Sequence, residues 1–373
     1  MKIGVPREIK QREYRVGMTP GAVREAVAHG HAVTVETGAG AAIDLPDSAY
    51  RAAGAAIAPD AASVWRDAEM VVKVKEPLQA EYALLRDGQI LFTYLHLAAD
   101  KHQAEALIQS KTIAIAYETV TDARGGLPLL APMSEVAGRM AIQAGARALE
   151  IEIGGRGMLL GGVPGVAPAK VAVLGGGVVG GNAARMALGL GAQVTVLDKS
   201  LPRLAQLDTE FGGRAVTLYA TREAVEASVL DADLVIGAVL VPGAAAPKLV
   251  TRDMLKRMKR GAVLVDVAID QGGCFESSHP TTHDAPTFIE DGIVHYCVAN
   301  MPGAVARTST FALGNATLPF ILALADQGWK RALHRDKHLR AGLNIAAGRV
   351  THQAVAQAIG LKFTHPEEVL AAA

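Results

Sequence analysis

A run of glycines and five polar residues carry the chemistry open to this chain. Gly175-Gly176-Gly177-Val178-Val179-Gly180 satisfies the spacing G-x-G-x-x-G. In that pattern Gly175 permits a tight turn, Gly177 lets backbone approach a pyrophosphate, and Gly180 allows a helix to pack closely on a strand. The helix that follows offers its phosphate ligand unpaired N–H groups and the positive end of its dipole. Asp198, about twenty residues on, is placed to accept from ribose hydroxyls. Arg15 lies in the loop after the first strand-like run, and Lys75, His96, Asp270 and Asn300 each stand just beyond a later one. Ligands of open α/β sheets sit outside such strand ends.

Two cations can hold a small carboxylate, Arg through paired N–H groups. An imidazole can remove and return a proton near neutral pH. Asp270 can stabilise a cationic intermediate or help handle water. With a dinucleotide, this set suits hydride transfer between nicotinamide and a small charged acid, two domains closing to exclude water. Each residue also has an ordinary use. Arg15, Lys73 and Lys75 can be solvated charges, with Glu76 neutralising Lys75. His96 can be a hydrogen-bonded structural histidine, and Asp270 can cap the turn into Gln271-Gly272-Gly273. Convergence at strand ends, beside a nucleotide site, favours chemistry.

The elements that must position these residues alternate in type. Val171–Leu174 predicts a buried strand, Asn182–Leu190 a helix, and Val194–Leu197 a second strand ending on Asp198. Before them, Ile3–Val5, Ala32–Glu36, Met70–Val74, Ile90–Tyr94 and Thr112–Tyr117 predict strands, with a helix at Lys101–Gln109. Thr19-Pro20 looks like an N-cap followed by proline at the first helical position. After the glycines, strands are expected at Ala215–Tyr219, Leu234–Val239, Val263–Val267 and Ile293–Val298. Alternation of this kind implies an α/β fold of two doubly wound domains with largely parallel sheets. A long helical patch, Met133–Leu149, joins them, and the Gly- and Pro-rich run 154–165 is a loop. From Phe311 onward the pattern is helical with no further strand. The expected architecture is a central Rossmann domain, residues 131–305, inserted in a discontinuous substrate domain, residues 1–130 plus 306–373.

Composition narrows the partners. At 373 residues, half of them hydrophobic, the chain has material for two cores. Lys+Arg equals Asp+Glu at 37 each, which argues against general affinity for nucleic acid or an anionic membrane. No secretory h-region is visible near Met1, and no uninterrupted apolar run spans a bilayer. Cys274 and Cys297 match no zinc spacing and are expected as free, buried thiols of a cytoplasmic protein. No metal is expected.

Several longer motifs are more specific. They include Gly4-Val5-Pro6-Arg7-Glu8 with Glu13-Tyr14-Arg15-Val16, Val72-Lys73-Val74-Lys75-Glu76-Pro77 and Leu95-His96-Leu97-Ala98. Leu129 to Arg139, Val235 to Gly243, Asp266-Val267-Ala268-Ile269-Asp270-Gln271-Gly272-Gly273 and Val298-Ala299-Asn300-Met301-Pro302-Gly303 extend the set. In these, across essentially its whole length, the chain resembles the alanine dehydrogenases. The resemblance implies reversible oxidative deamination of L-alanine with NAD to pyruvate and ammonium. It implies that Arg15 and Lys75 bind substrate, with Asn300 beside them, and that His96 and Asp270 are the acid/base pair. Ser134, Val178, Val179, Asp198, Arg203, Ala220, Val239 and Leu240 would line the NAD site, with Val267, Ala268, Ile269 and Asp270 and with Val298, Ala299, Asn300 and Met301. It also implies a homo-oligomer, usually a hexamer.

The chain departs from that pattern in places. Ala220 stands where serine is common, so a cofactor contact there must use backbone. Arg203 replaces a frequent lysine, and with Lys199 it leaves some room for a 2′-phosphate, which Asp198 would repel. The alternative reading is the nucleotide-binding subunit of a proton-translocating NAD(P) transhydrogenase. Opine- or saccharopine-forming dehydrogenases and a non-catalytic nucleotide sensor are further competitors.

Overall fold

Doubly wound sheets follow from the apolar runs, which are short, β-branched and separated by helical stretches. The computed structural model describes residues 1–239 and 246–371, and the chain divides into two compact units. One is made of Met1–Met133 with Val305–Ala373, the other of Ser134–Ala304.

In the first unit the strands are β1 (Lys2–Val5), β2 (Ala32–Glu36), β3 (Ala56–Ala58), β4 (Met70–Val72), β5 (Ile90–Thr93) and β6 (Ile113–Ala116). They pair in parallel in the order β3-β2-β1-β4-β5-β6. Strand order therefore reverses between β1 and β4, the switch point at which such sheets bind ligands. Helix Pro20–Ala28 starts as expected, with the Thr19 hydroxyl accepting the Ala22 N–H and proline in the first turn. Helix Lys101–Gln109 has the expected bounds.

The second unit runs β7 (Lys170–Leu174), β8 (Gln193–Asp198), β9 (Ala215–Tyr219), β10 (Leu234–Gly237), β11 (Val263–Asp266), β12 (Thr287–Glu290) and β13 (Ile293–Tyr296). Its sheet order is β12-β13-β11-β10-β7-β8-β9, parallel except for β12. The switch point lies between β7 and β10. Helix Ala131–Ala148 packs on this unit by glycine contacts. A Cβ on Gly138 would meet the Val179 carbonyl oxygen at 2.2 Å, and one on Gly145 would meet Leu234 at 2.7 Å.

Several strand ends shift by a residue or two, and two expectations change in substance. The strand expected to reach Val74 ends at Val72, because the Val74 N–H leaves the ladder for Glu8 Oε1 at 2.6 Å. The tail is not wholly helical. After helix Ala306–Gln327 come β14 (Leu343–Ala346) and β15 (Arg349–Val350), which form a hairpin. Ala347 and Gly348 turn it, at φ 49° and 71°, as a two-residue hairpin loop requires. β14 pairs antiparallel with β6, so both ends of the chain complete one sheet. Ile345, Val350, Val355 and Ile359 join Val71, Leu91 and Ala114 in its core. By length and composition the stretch Met301–Gln327 could cross a membrane. Its helix buries Ser309, Thr310, Leu313 and Ile321, and Thr310 accepts the Val16 N–H at 3.3 Å.

Candidate active site

At the switch point of the first sheet, the loop after β1 brings Glu13 and Arg15 together. Arg15 is 2% exposed, and its guanidinium grips Glu13 with two N–H groups, Nε to Oε1 at 2.7 Å and Nη2 to Oε2 at 2.6 Å. Nη1 contacts Met133 Sδ at 3.1 Å. Burial alone would raise the Glu13 pKa, but the hydrogen bonds and charge of Arg15 overcome it and hold it at about 2. The guanidinium plane is thus fixed before any ligand arrives.

Across the switch point, Lys75 lies just past β4. Its ammonium makes no hydrogen bond or ion pair among the described residues. Burial, then the positive charge of Arg15, lowers its pKa below the ordinary lysine range. Two cations held near each other in a poorly solvated place can take an anion, which would relieve the burial and repulsion that Lys75 bears. Glu76 pairs with Lys10 instead of neutralising Lys75 alone.

Lys73 is fully buried, not solvated. It is clamped by Glu81 at 2.6 Å and Glu8 at 3.3 Å. Glu8 Oε1 also accepts the Val74 N–H at 2.6 Å and the Lys75 N–H at 3.3 Å, so it shapes the backbone that carries Lys75. A lysine inside the apolar run Val71-Val72-Lys73-Val74 must be paired, and that was the available signal; its partners were not identifiable from spacing.

His96 follows β5 at φ 52°, a left-handed conformation. The turn is held by Glu118, whose Oε1 accepts the His96 N–H at 2.6 Å and whose Oε2 accepts the Leu95 N–H at 3.2 Å. The imidazole stacks on Tyr94 at 5.8 Å and 8°, lies 4.0 Å from Glu118 through Nδ1, and stays half exposed. Tyr94 is itself pinned by its hydroxyl to the Leu129 carbonyl at 2.5 Å.

In the second unit each fingerprint glycine has a visible reason. Gly175 has φ 100°, and a Cβ there would meet the Ala238 carbonyl oxygen at 2.8 Å. On Gly180 a Cβ would lie 1.8 Å from the Gly175 carbonyl oxygen, so only glycine lets helix Val178–Gly189 start so close to its strand. A Cβ on Gly177 would meet nothing within 4 Å. That open surface at an uncapped helix start fits a pyrophosphate. Asp198 braces the same turn, Oδ2 accepting the Gly176 N–H at 2.6 Å and Oδ1 the Ser200 N–H at 2.7 Å. Arg203 Nε donates to the Gly176 carbonyl at 2.6 Å. The Ala220 N–H is already given to the Asp198 carbonyl at 3.0 Å, which leaves its carbonyl for any contact.

The remaining expected cofactor residues fall in several settings. Val178 is exposed, while Val179, Ser134 and Val239 are half-buried. Val267 to Gln271 form a 3₁₀ turn that buries Ile269 and exposes Asp270. Val298 and Met301 are buried and Ala299 is half-buried, while Asn300 sits at φ 65° with its carbonyl accepting the Gly303 N–H at 2.9 Å. Leu240 lies outside the described residues. Both cysteines are buried and free. Among the described residues no group of three or more His, Cys, Asp or Glu side chains is disposed to hold a metal.

Known proteins match this arrangement over its full length. The family model described as alanine dehydrogenase/PNT, N-terminal domain, covers residues 4–137, and its C-terminal counterpart covers 141–353. A protein named alanine dehydrogenase from Halomonas elongata is 62% identical over 370 residues, 99% of this chain and 100% of that one. The chain belongs to the alanine dehydrogenase/PNT family. An alanine dehydrogenase from Mycolicibacterium smegmatis is 56% identical, with both chains fully covered. A solved L-alanine dehydrogenase superposes with TM-score 0.94 at 54% identity, covering 96% of this chain and 99% of that one. The transhydrogenase of Sinorhizobium meliloti, at 24% identity and TM-score 0.83, covers 94% of this chain and 100% of that one. It shares the fold. Both divisions fall inside helix Ala131–Ala148, that of the family's two models between residues 137 and 141 and that of packing at Ser134.

Proposed function

We propose that this chain catalyses the reversible, NAD-dependent oxidative deamination of L-alanine to pyruvate and ammonium. The observation that carries the reading is a pair of desolvated cations, Arg15 and Lys75, at a sheet switch point in a chain 62% identical to an alanine dehydrogenase. Lys75 and Arg15 hold the substrate carboxylate. His96 exchanges a proton at its imidazole, and Asp270 offers a carboxylate with no partner among the described residues to the developing cation and to water. NAD, when bound, supplies the hydride acceptor. Gly177 and the first turn of helix Val178–Gly189 would hold its pyrophosphate, and Asp198 would accept from its ribose while repelling a 2′-phosphate. On this reading residues 1–130 with 306–373 form the substrate domain and residues 131–305 the NAD domain.

The test mixes protein, alanine and NAD and follows NADH absorbance. Turnover is expected without any membrane partner, and its absence would return the reading to a transhydrogenase subunit. Replacing ammonium by lysine or ornithine in the reductive direction should abolish the rate; a faster rate would favour opine chemistry. His96→Ala should lower kcat about 10²-fold. We further propose a cytoplasmic homohexamer. Exposed apolar side chains at Ile151, Leu159, Val163 and Val166 support self-association, and free buried thiols suit a reducing compartment. Light scattering of the purified protein reads the assembly directly.

A further inference from the structure

Asp266 ends β11 with its side chain fully buried, and both its oxygens serve the turn that bears Asp270. Oδ1 accepts the Ala268 N–H at 3.2 Å. Oδ2 accepts the Cys274 N–H at 2.8 Å and the Ser278 hydroxyl at 2.5 Å. Ala268 and Cys274 lie at the start and finish of the loop around Asp270, so one side chain grips it at both ends. Between them the 3₁₀ turn Val267–Gln271 is closed by Gly272 and Gly273, at φ 87° and 77°. The carboxylate has its place only because neighbours lack a Cβ. One on Gly273 would stand 2.6 Å from Oδ2, and one on Gly237 3.2 Å from Oδ1. Cys297 Sγ, donating to Ser278 Oγ at 3.8 Å, steadies the third partner. Burial pushes the Asp266 pKa up, so the charge carries a desolvation cost that an apolar residue would not.

We infer that Asp266 is a positioning residue for this reaction, holding the turn 267–273 so that Asp270 keeps one orientation. The inference rests on the role given to Asp270 above. Asparagine cannot replace it. With its oxygen toward Ala268 its NH2 faces the Cys274 N–H, and with the amide reversed it faces the Ala268 N–H. Either way one backbone donor is left without an acceptor.

The experiment is a double-mutant cycle in the full-length protein, reading kcat for alanine and NADH affinity for Asp266→Asn, Asp270→Asn and the pair. Asp266→Asn is expected to lower kcat about 10- to 100-fold, the scale of a misplaced catalytic group. In the Asp270→Asn background the same change should add less than about threefold, because its effect is carried by Asp270. Multiplicative losses, or wild-type kcat in Asp266→Asn, would overturn the positioning role. If Asp270→Asn alone keeps wild-type kcat, the reading of Asp270 fails and takes this inference with it. Should Asp266→Asn not fold, Ser278→Ala removes only one partner. It should cost about threefold in kcat, and nothing further once Asp270 is gone; an equal cost in both backgrounds counts against the inference.

Discussion

Lys75 and Glu13 are opposite cases of burial. Lys75 keeps a positive charge where burial and the Arg15 charge disfavour it, so its folded pKa falls below 10.5. The protonated form therefore costs stability at neutral pH, a cost that the proposed binding of a substrate carboxylate would offset. On that proposal, carboxylate binding is present below the folded pKa and is lost as pH rises through it. The inhibition constant of pyruvate, which has no group titrating in that range, should weaken on the alkaline side below the ordinary lysine range. Lys75→Arg should remove that limb, and Lys75→Met should raise Tm by roughly 2 °C while abolishing turnover. Calorimetry showing Lys75→Met less stable than the parent would contradict the cost assigned to the ammonium. Glu13 is the reverse case, lowered from 4.5 to about 2. Its contribution is fully present above pH 4.5 and is lost as pH falls through about 2. That shift corresponds to about 3 kcal/mol. Glu13→Gln should flatten the acid limb of a urea-unfolding series between those two values.

At the level of elements, the two fingerprint glycines make separable predictions. A methyl on Gly180 would collide with a backbone oxygen that cannot move without displacing β7, so Gly180→Ala should cost about 3 kcal/mol or more and lose NADH binding. Gly177→Ala meets nothing in the protein. It should leave Tm within about 2 °C, yet weaken NADH about tenfold by crowding the pyrophosphate. Calorimetry of both folding and binding separates the two, and equal damage from both would refute the assignment. These glycines were legible in the sequence because turn, phosphate approach and helix packing each impose a local spacing. So were the strands whose apolar runs are buried on both faces. The ones missed have physical excuses. β3 is a three-residue edge, β12 is an antiparallel edge with a half-covered face, β14 contains Asn344, and β15 has only two residues. Asn344 is tolerated only because its Nδ2 donates to Thr119 and to the Gly342 carbonyl, partners set by tertiary structure. Glu8, Glu118 and Asp266 escaped for the same reason. Glu8 and Glu118 serve backbone N–H groups on another segment, Asp266 those at both ends of the loop that follows it, and nothing at their own positions marks that.

For the molecule as a whole, continuity along the chain separates the two units. The second unit uses one uninterrupted stretch, and every partner of its seven strands lies between Lys170 and Tyr296. The helix that opens it, Ala131–Ala148, is fastened to it by the close contacts at Gly138 and Gly145. A fragment of residues 131–304 therefore contains its own core and its own fingerprint. It should unfold cooperatively and bind NADH, while turning over no alanine because Arg15, Lys75 and His96 are absent. The first unit has no such independence. Ending the chain at Gly342 removes β14 and with it Ile345, Val350, Val355 and Ile359 from the core they share with Val71, Leu91 and Ala114. It also strips β6 of its antiparallel neighbour, exposing a row of unpaired N–H and C=O groups beside Ala114 and Ile115. Such a truncation should lose the calorimetric transition of the first unit and aggregate, while NADH binding by the second survives. A truncated chain that keeps both transitions would show that the tail is an appendage, and a fragment 131–304 that fails to bind NADH would show that the fingerprint depends on the rest of the chain.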